Sequence, residues 1–166
     1  MLHGIIYASQ ANGLNSDPNG DFKDEVHSYF GSGTDLQEMY ITPSLLTAHN
    51  WDILASTAKW ARNNAETLKD THWIGGDPGR LQVYGWAAWS RAKGIVTLRN
   101  PSDKKQDFLL DIKTAFELPP NASLDYVTTD PWNMAEKAQV LRVGQPIRIS
   151  MKPFEVRTLE ARPMHP

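Results

Sequence analysis

The chain has no cysteine among its 166 residues. That absence excludes a disulfide framework, thiol catalysis and thiolate metal sites, and it leaves the compartment open. Excess charge is missing as well. Seventeen basic residues against nineteen acidic ones give a net charge of −2, and the basic residues are scattered. No basic stripe marks a nucleic-acid partner. No apolar run approaches the roughly 18 residues that a membrane span needs. The start, Met1-Leu2-His3-Gly4, lacks the charged-then-apolar layout of a signal peptide. Glycine-rich phosphate loops and a defensible Ser/His/Asp order are absent too, so no cofactor is expected. The apolar Ile5-Ile6-Tyr7 follows the first residue almost at once. A natural chain rarely begins one step from a buried strand, so the expectation is a start inside a longer protein.

What is present is an ordinary globular composition, 40% hydrophobic and 22% charged. Gly4 to Ser9 reads as a short buried strand, and Gln10 to Gly20 as a polar loop rich in turn residues. Asp21 is a candidate N-cap, with Asp24 and Glu25 in a favourable first turn. Phe22, Val26, Tyr29 and Phe30 then share a face of a helix that Gly31-Ser32-Gly33 ends. Leu36 to Ile41 is a second strand. A long amphipathic helix follows from a Thr47 cap to Leu68, its stripe placed at Trp51, Leu54, Ala55, Ala58, Ala61, Ala65 and Leu68. Strand, helix, strand, helix makes two β/α units, the element of parallel sheets and barrels. Two units cannot close a barrel. The Val26 and Phe30 face is expected to stay uncovered, which would suit a homodimer.

Gly75-Gly76-Asp77-Pro78-Gly79 is the candidate boundary. Beyond it the period becomes two. Val96 and Leu98 flank Thr97; Leu110 and Ile112 alternate with Asp111 and Lys113; Ile147, Ile149 and Met151 alternate with polar residues; Phe154 and Val156 follow. Turns recur at Asn100-Pro101, Pro119-Pro120, Gly144 and Pro153. The fold class is mainly β: an antiparallel, Greek-key-like β-sandwich at the C-terminus, preceded by an α/β segment of two β/α units like the end of a TIM barrel. The expected division is 1–70 as incomplete barrel units, 71–79 as a linker and 80–163 as the sandwich. Leu159 and Ala161 break the phase of Phe154 and Val156, which predicts a bulge near Arg157.

Few residues point to chemistry. The five histidines are far apart, which argues against a metal site. Asp17, Asn19 and Asp21 suggest a calcium loop, but its sixth and twelfth places hold Phe22 and Ser28, where glycine and glutamate are required. Asp35 and Glu38 could form a carboxylate pair, yet one precedes its strand and the other lies within it, away from the C-terminal strand ends where barrel sites form. Gln10, Asn12 and Asn15 follow the first strand and Thr42 follows the second. All four are short polar groups suited to a hydroxyl-rich ligand, and a merely solvated loop accounts for them at least as well. Six tryptophans invite sugar stacking, with Trp73, Trp86, Trp89 and Trp132 the candidates outside the helix, although core packing accounts for such rings better, since large aromatics dominate core area. The substrate-binding candidates are Gln10, Asn12, Asn15 and Trp73; no catalytic or metal-binding residue is assigned. Asn121-Ala122-Ser123 is a sequon that matters only in a eukaryotic secretory setting.

Three stretches carry a family resemblance: Gly94 to Asp103 with its Arg99-Asn100-Pro101-Ser102, Phe108 to Ile112, and Met151 to Val156 with its Pro153-Phe154-Glu155. Together they resemble the C-terminal β-sandwich of bacterial α-galactosidase-type glycoside hydrolases. Asn50-Trp51 and Asp70 to Asp77 resemble the last barrel helix and its exit. The resemblance implies a retaining glycosidase as parent, whose two catalytic aspartates lie on earlier strands. It implies a fragment inactive alone, carbohydrate as the partner of the parent's catalytic domain, and a periplasmic or extracellular bacterial setting. The alternatives are a free carbohydrate-binding module and a purely structural domain.

Overall fold

The computed structural model describes residues 3–8, 20–33, 36–41 and 43–164. Strands β1 (His3–Ala8) and β2 (Leu36–Ile41) pair in parallel, His3 opposite Leu36 through Ala8 opposite Ile41. Helix α1 (Phe22–Gly31) lies between them in sequence. Helix α2 (Ala48–Asn63) starts at a capping box: the Thr47 hydroxyl accepts from the Asn50 amide at 3.1 Å, and the Asn50 carbonyl accepts from the Thr47 amide at 3.0 Å. The helix breaks at Asn64, whose side-chain amide donates to the Trp60 carbonyl at 2.8 Å. A last turn, α3 (Ala65–Leu68), completes the segment.

The buried stripe of this helix runs through Asn50, Leu54, Thr57, Ala61, Asn64 and Leu68, at alternating spacings of four and three. Trp51 and Ala55, expected on it, point outward. Each sits about 100° around the helix from its inward neighbour. Sequence reading favoured Trp51 over Asn50 on hydrophobicity. Asn50 can be buried because the cap consumes its carbonyl. Thr57 can because its hydroxyl donates to the Ile53 carbonyl at 2.8 Å.

The remainder is an antiparallel sandwich. One sheet has six strands in the order β3 (Thr71–Gly75), β4 (Tyr84–Trp89), β5 (Gly94–Arg99), β10 (Val156–Pro163), β7 (Asp125–Thr129), β8 (Gln139–Arg142). The other pairs β6 (Gln106–Leu110) with β9 (Ile147–Met151). The chain crosses to the small sheet for β6, returns for β7 and β8, crosses again for β9 and comes back as β10, which inserts between β5 and β7 in a Greek-key manner. Leu98, Leu110, Tyr126, Leu141 and Met151 fill the space between the sheets.

The large sheet is buried on its second face as well. Val26, Phe30 and Leu54 of the two helices pack with Leu68 of α3 against Ala88 and Ile95. Val26 has no exposed surface, and burying an aliphatic side chain of this kind stabilises by about 1.5–3 kcal/mol. The face expected to stay open for a homodimer is therefore covered within the chain.

Other expectations are corrected here. Residues 71–75 are a strand paired with β4, Thr71 opposite Ala88, so the stretch 71–79 is not a bare linker. Ile112 is not in a strand. Asp111 caps a short helix, α4 (Ile112–Ala115), accepting from the Lys113 amide at 3.0 Å, and that bond turns the chain. No bulge interrupts β10 near Arg157; its register with β5 runs unbroken from Val156–Arg99 to Ala161–Gly94. Phe154 is an exposed turn residue at φ +58°, and Thr158 and Glu160 alternate with Leu159 and Ala161 on two buried faces. No phase change was needed because both faces pack.

Candidate functional site

The C-terminal ends of β1 and β2 lie side by side at Ala8 and Ile41. The residues read as ligand-binding there, Gln10, Asn12 and Asn15, lie outside the described residues, as do Thr42, Asp35 and Asp17. Glu38 is half-buried within β2, level with Ile5.

Trp73 is the one candidate whose side chain is described. It projects from β3, the edge strand of the large sheet, and remains 46% exposed. Its ring stacks on Tyr84 at 4.8 Å with only 7° between the planes. Trp86 meets both rings edge-on, at 5.9 Å and 5.6 Å. Tyr84 is opposite Arg99, whose guanidinium forms a two-pronged pair with the Glu25 carboxylate of α1. That pair raises the Arg99 pKa further, chiefly through the hydrogen bond to Glu25. The other tryptophans are engaged internally. Trp89 donates to the Tyr126 hydroxyl at 3.2 Å. Trp132 stacks on His27 at 4.2 Å and meets Trp60 edge-on at 5.1 Å. Burial, followed by the nearby Lys23 charge, lowers the His27 pKa to about 4, so the imidazole is neutral at physiological pH.

Sequence reading missed two polar centres. Glu160 projects from β10 toward the helices and is 8% exposed. Trp60 of α2 donates to one of its oxygens at 2.6 Å; Lys93 and Arg162 reach the other at 3.2 Å and 3.5 Å. Lys93 also donates to the Asn64 side chain. A buried carboxylate persists only when its lone pairs are met by donors and opposite charge, and these groups supply both. The only signal in the sequence was a glutamate between Leu159 and Ala161 within a strand pattern.

The second centre is Asn100, which has no exposed surface. Its amide nitrogen donates to the Lys104 and Lys152 carbonyls, each at 2.8 Å. Its carbonyl accepts from the Ser102 amide at 3.1 Å and the Gln106 side chain at 2.9 Å. Two carbonyls on one side and two donors on the other fix the amide's orientation. The Arg99-Asn100-Pro101-Ser102 motif is thus structural: Arg99 holds α1, and Asn100 ties the β5–β6 turn to the β9–β10 turn.

Among the described residues no group of three or more His, Asp or Glu could hold a metal ion. No described helix is long and apolar enough to cross a membrane.

No protein-family model matches the chain, and no curated protein matches it in sequence. Solved structures share its fold. An α-galactosidase I of Mortierella vinacea superposes on 92% of the chain with a TM-score of 0.60 and 14% identity, the match covering 37% of that structure. An α-amylase of Geobacillus thermoleovorans, complexed with acarbose, also covers 92%, with a TM-score of 0.58 and 10% identity, over 36% of its own length. A β-L-arabinopyranosidase of Geobacillus stearothermophilus covers 87% at a TM-score of 0.57 and 9% identity, over 31% of its length. The chain therefore spans about a third of the length of the glycoside hydrolases it superposes on, and its fold is that of their matching portion.

Proposed function

We propose that this chain is the C-terminal portion of a galactosidase-like glycoside hydrolase. In this reading residues 1–70 supply the last two β/α units of a catalytic barrel, and the sandwich braces them. One observation carries it: a parallel β–α–β unit, a long helix and an antiparallel sandwich follow one another here, and the whole series superposes on a third of several glycosidases.

The bracing role rests on the junction. Helix α1 buries its apolar face on the sheet, α2 packs on α1, and Glu160 pairs with donors from both sides of the junction. Retaining glycosidases use two carboxyl groups about 5–5.5 Å apart around an oxocarbenium-like transition state. In the parent those groups belong to earlier strands, and carbohydrate is bound by the completed barrel. The described residues assemble no such pair around the ends of β1 and β2.

Hydrolysis of aryl α-galactosides by the purified chain tests this. No turnover is expected, and turnover would overturn the claim that the site is incomplete. The genomic frame upstream provides the second test. A continuous frame encoding six further β/α units supports the reading, whereas one encoding no β/α unit overturns it.

A further inference from the structure

We infer that two copies of this chain associate through the open edge of β3, joining their large sheets into one. The Gly76 amide donates to the Val83 carbonyl at 2.8 Å, in step with the β3–β4 register, so Gly76 and Val83 form a hydrogen-bonded pair. Alternation along an antiparallel ladder makes Ile74 and His72 the next such residues. It turns the amides and carbonyls of Thr71, Trp73 and Gly75 away from β4. No other described strand pairs with β3. Its outer row of amides and carbonyls is therefore a template for a further strand.

Natural sheet edges are blunted by charge, by proline or by a cover. The other edges of this sandwich follow that rule. β6 carries Asp107 and β9 carries Arg148. β8 carries Arg142, whose carbonyl is taken by the Gln145 amide at 3.0 Å. β3 reads Thr71-His72-Trp73-Ile74-Gly75, with no Asp, Glu, Lys, Arg or Pro. The helices rest chiefly on β4, β5 and β10, which leaves Trp73 46% exposed on their face of the sheet. On the opposite face an open cleft lined by His72, Ile74 and Phe108 runs beside the strand. The edge is thus accessible from both sides.

The charges at the strand ends select a second copy over an unrelated strand. Identical strands pair antiparallel about a two-fold axis. An axis at Trp73 sets that residue opposite its own counterpart and Thr71 opposite Gly75. The same register sets Lys69 opposite Asp77, and symmetry repeats the match. Lys69 is exposed and bound only to the exposed Glu66, at 2.7 Å. The Asp77 carboxylate accepts from the Gly79 amide at 2.8 Å and meets no cation of its own chain among the described residues. Opposite charges therefore meet twice across the axis, which favours this register over a shifted one. The contact stands apart from the ends of β1 and β2 and requires no catalytic activity of the chain.

Sedimentation equilibrium of the purified chain tests the inference. A dimer with a Kd on the order of 10 μM is expected, since a single-edge contact belongs to the weak class of interface. Lys69→Asp sets like charges against each other on both sides of the axis, as does Asp77→Lys. Each variant alone should dimerise about tenfold more weakly or worse. Mixed in equal amounts, the two restore opposite charge at both positions and should pair about as tightly as the wild type. Because Asp77 also caps the turn after β3, Trp73→Lys provides an independent test. It brings two ammonium groups together at the axis and should raise the Kd by about tenfold or more while far-UV circular dichroism stays unchanged. A chain that stays monomeric at about 500 μM would overturn the dimer. So would a single charge variant that dimerises as tightly as the wild type, or a mixture that pairs no more tightly than its components. These readouts involve no hydrolysis and no upstream sequence, so their failure would leave the proposed function untouched.

Discussion

Asn100 sets up a contrast between two substitutions. Asn100→Ala removes four hydrogen bonds and leaves the Lys104 and Lys152 carbonyls and the Ser102 amide without their partner. A buried group stripped of its partner costs about 1–3 kcal/mol. Solvent can reach part of this turn, so the expected loss is about 4 kcal/mol. For a chain of this length that lowers the melting temperature by about 8–16 °C. Asn100→Asp keeps the shape and the acceptor oxygen, but it turns a second acceptor toward two carbonyls at 2.8 Å. The carboxyl can relieve one clash only by staying protonated, which raises its folded pKa above the unfolded value. Stability from such a group is present below the unfolded pKa and lost as pH rises through the folded one. The Asp variant should therefore be less stable than the Ala variant at pH 7, and its deficit should shrink toward pH 4. Urea unfolding of both variants at several pH values provides the measurement. An Asp variant as stable as the wild type at pH 7, or a deficit that does not change with pH, would refute the assigned network.

Three further outcomes follow from the junction. Glu160→Gln leaves the Lys93 ammonium without its counter-charge and should cost about 3–5 kcal/mol, with Lys93→Met in the same chain recovering most of it; a denaturation double-mutant cycle reads the coupling. Gly31→Ala would place a methyl 2.7 Å from the Thr97 Cβ and should cost about 2 kcal/mol, with Thr97→Gly in the same chain, which removes that Cβ, relieving the clash where Thr97→Ala does not. His27, whose pKa falls to about 4 on burial, binds fewer protons folded than unfolded. Its contribution is complete above pH 6.5 and is lost as pH falls toward 4, by up to about 3 kcal/mol. His27→Phe should flatten that limb of the stability profile measured by chemical denaturation.

The elements were legible where one force dominated. Phe22, Val26, Tyr29 and Phe30 at helical spacing, and the period-two runs after Tyr84, each reported a face that meets a core. Legibility failed where polar groups were buried. Hydrophobicity selected Trp51 over Asn50 because a sequence does not reveal that a cap will satisfy the asparagine. It read Ile112 as a strand residue because the Asp111 cap that starts α4 competes locally with the strand pattern. Glu160 and Asn100 were invisible as centres because their partners come from positions as distant as Trp60 and Lys152. Of the four ligand candidates only Trp73 has a described side chain, and its stacking on Tyr84, two strand positions from the Trp86 opposite it, was not readable from an aromatic near a turn.

The position of the large sheet explains why the two halves are hard to separate. It is the middle layer of three, with the β6–β9 pair on one face and the helices on the other. On the helix side its centre is polar yet closed. Thr97 and Thr158, both essentially unexposed, share a hydrogen bond at 3.3 Å, and their small size lets Gly31 of α1 come close. A sheet meant to stand as an independent domain would present solvent-compatible side chains there, since one-sided antiparallel sheets alternate apolar and polar residues toward water. Here Ala88, Ile95 and Thr97 are sealed by α1 and α3, and Glu160 is held by Trp60 of α2. Cutting the chain after Leu68 would expose this face and strip Glu160 of its indole donor. The sandwich therefore depends on the helices for its second face.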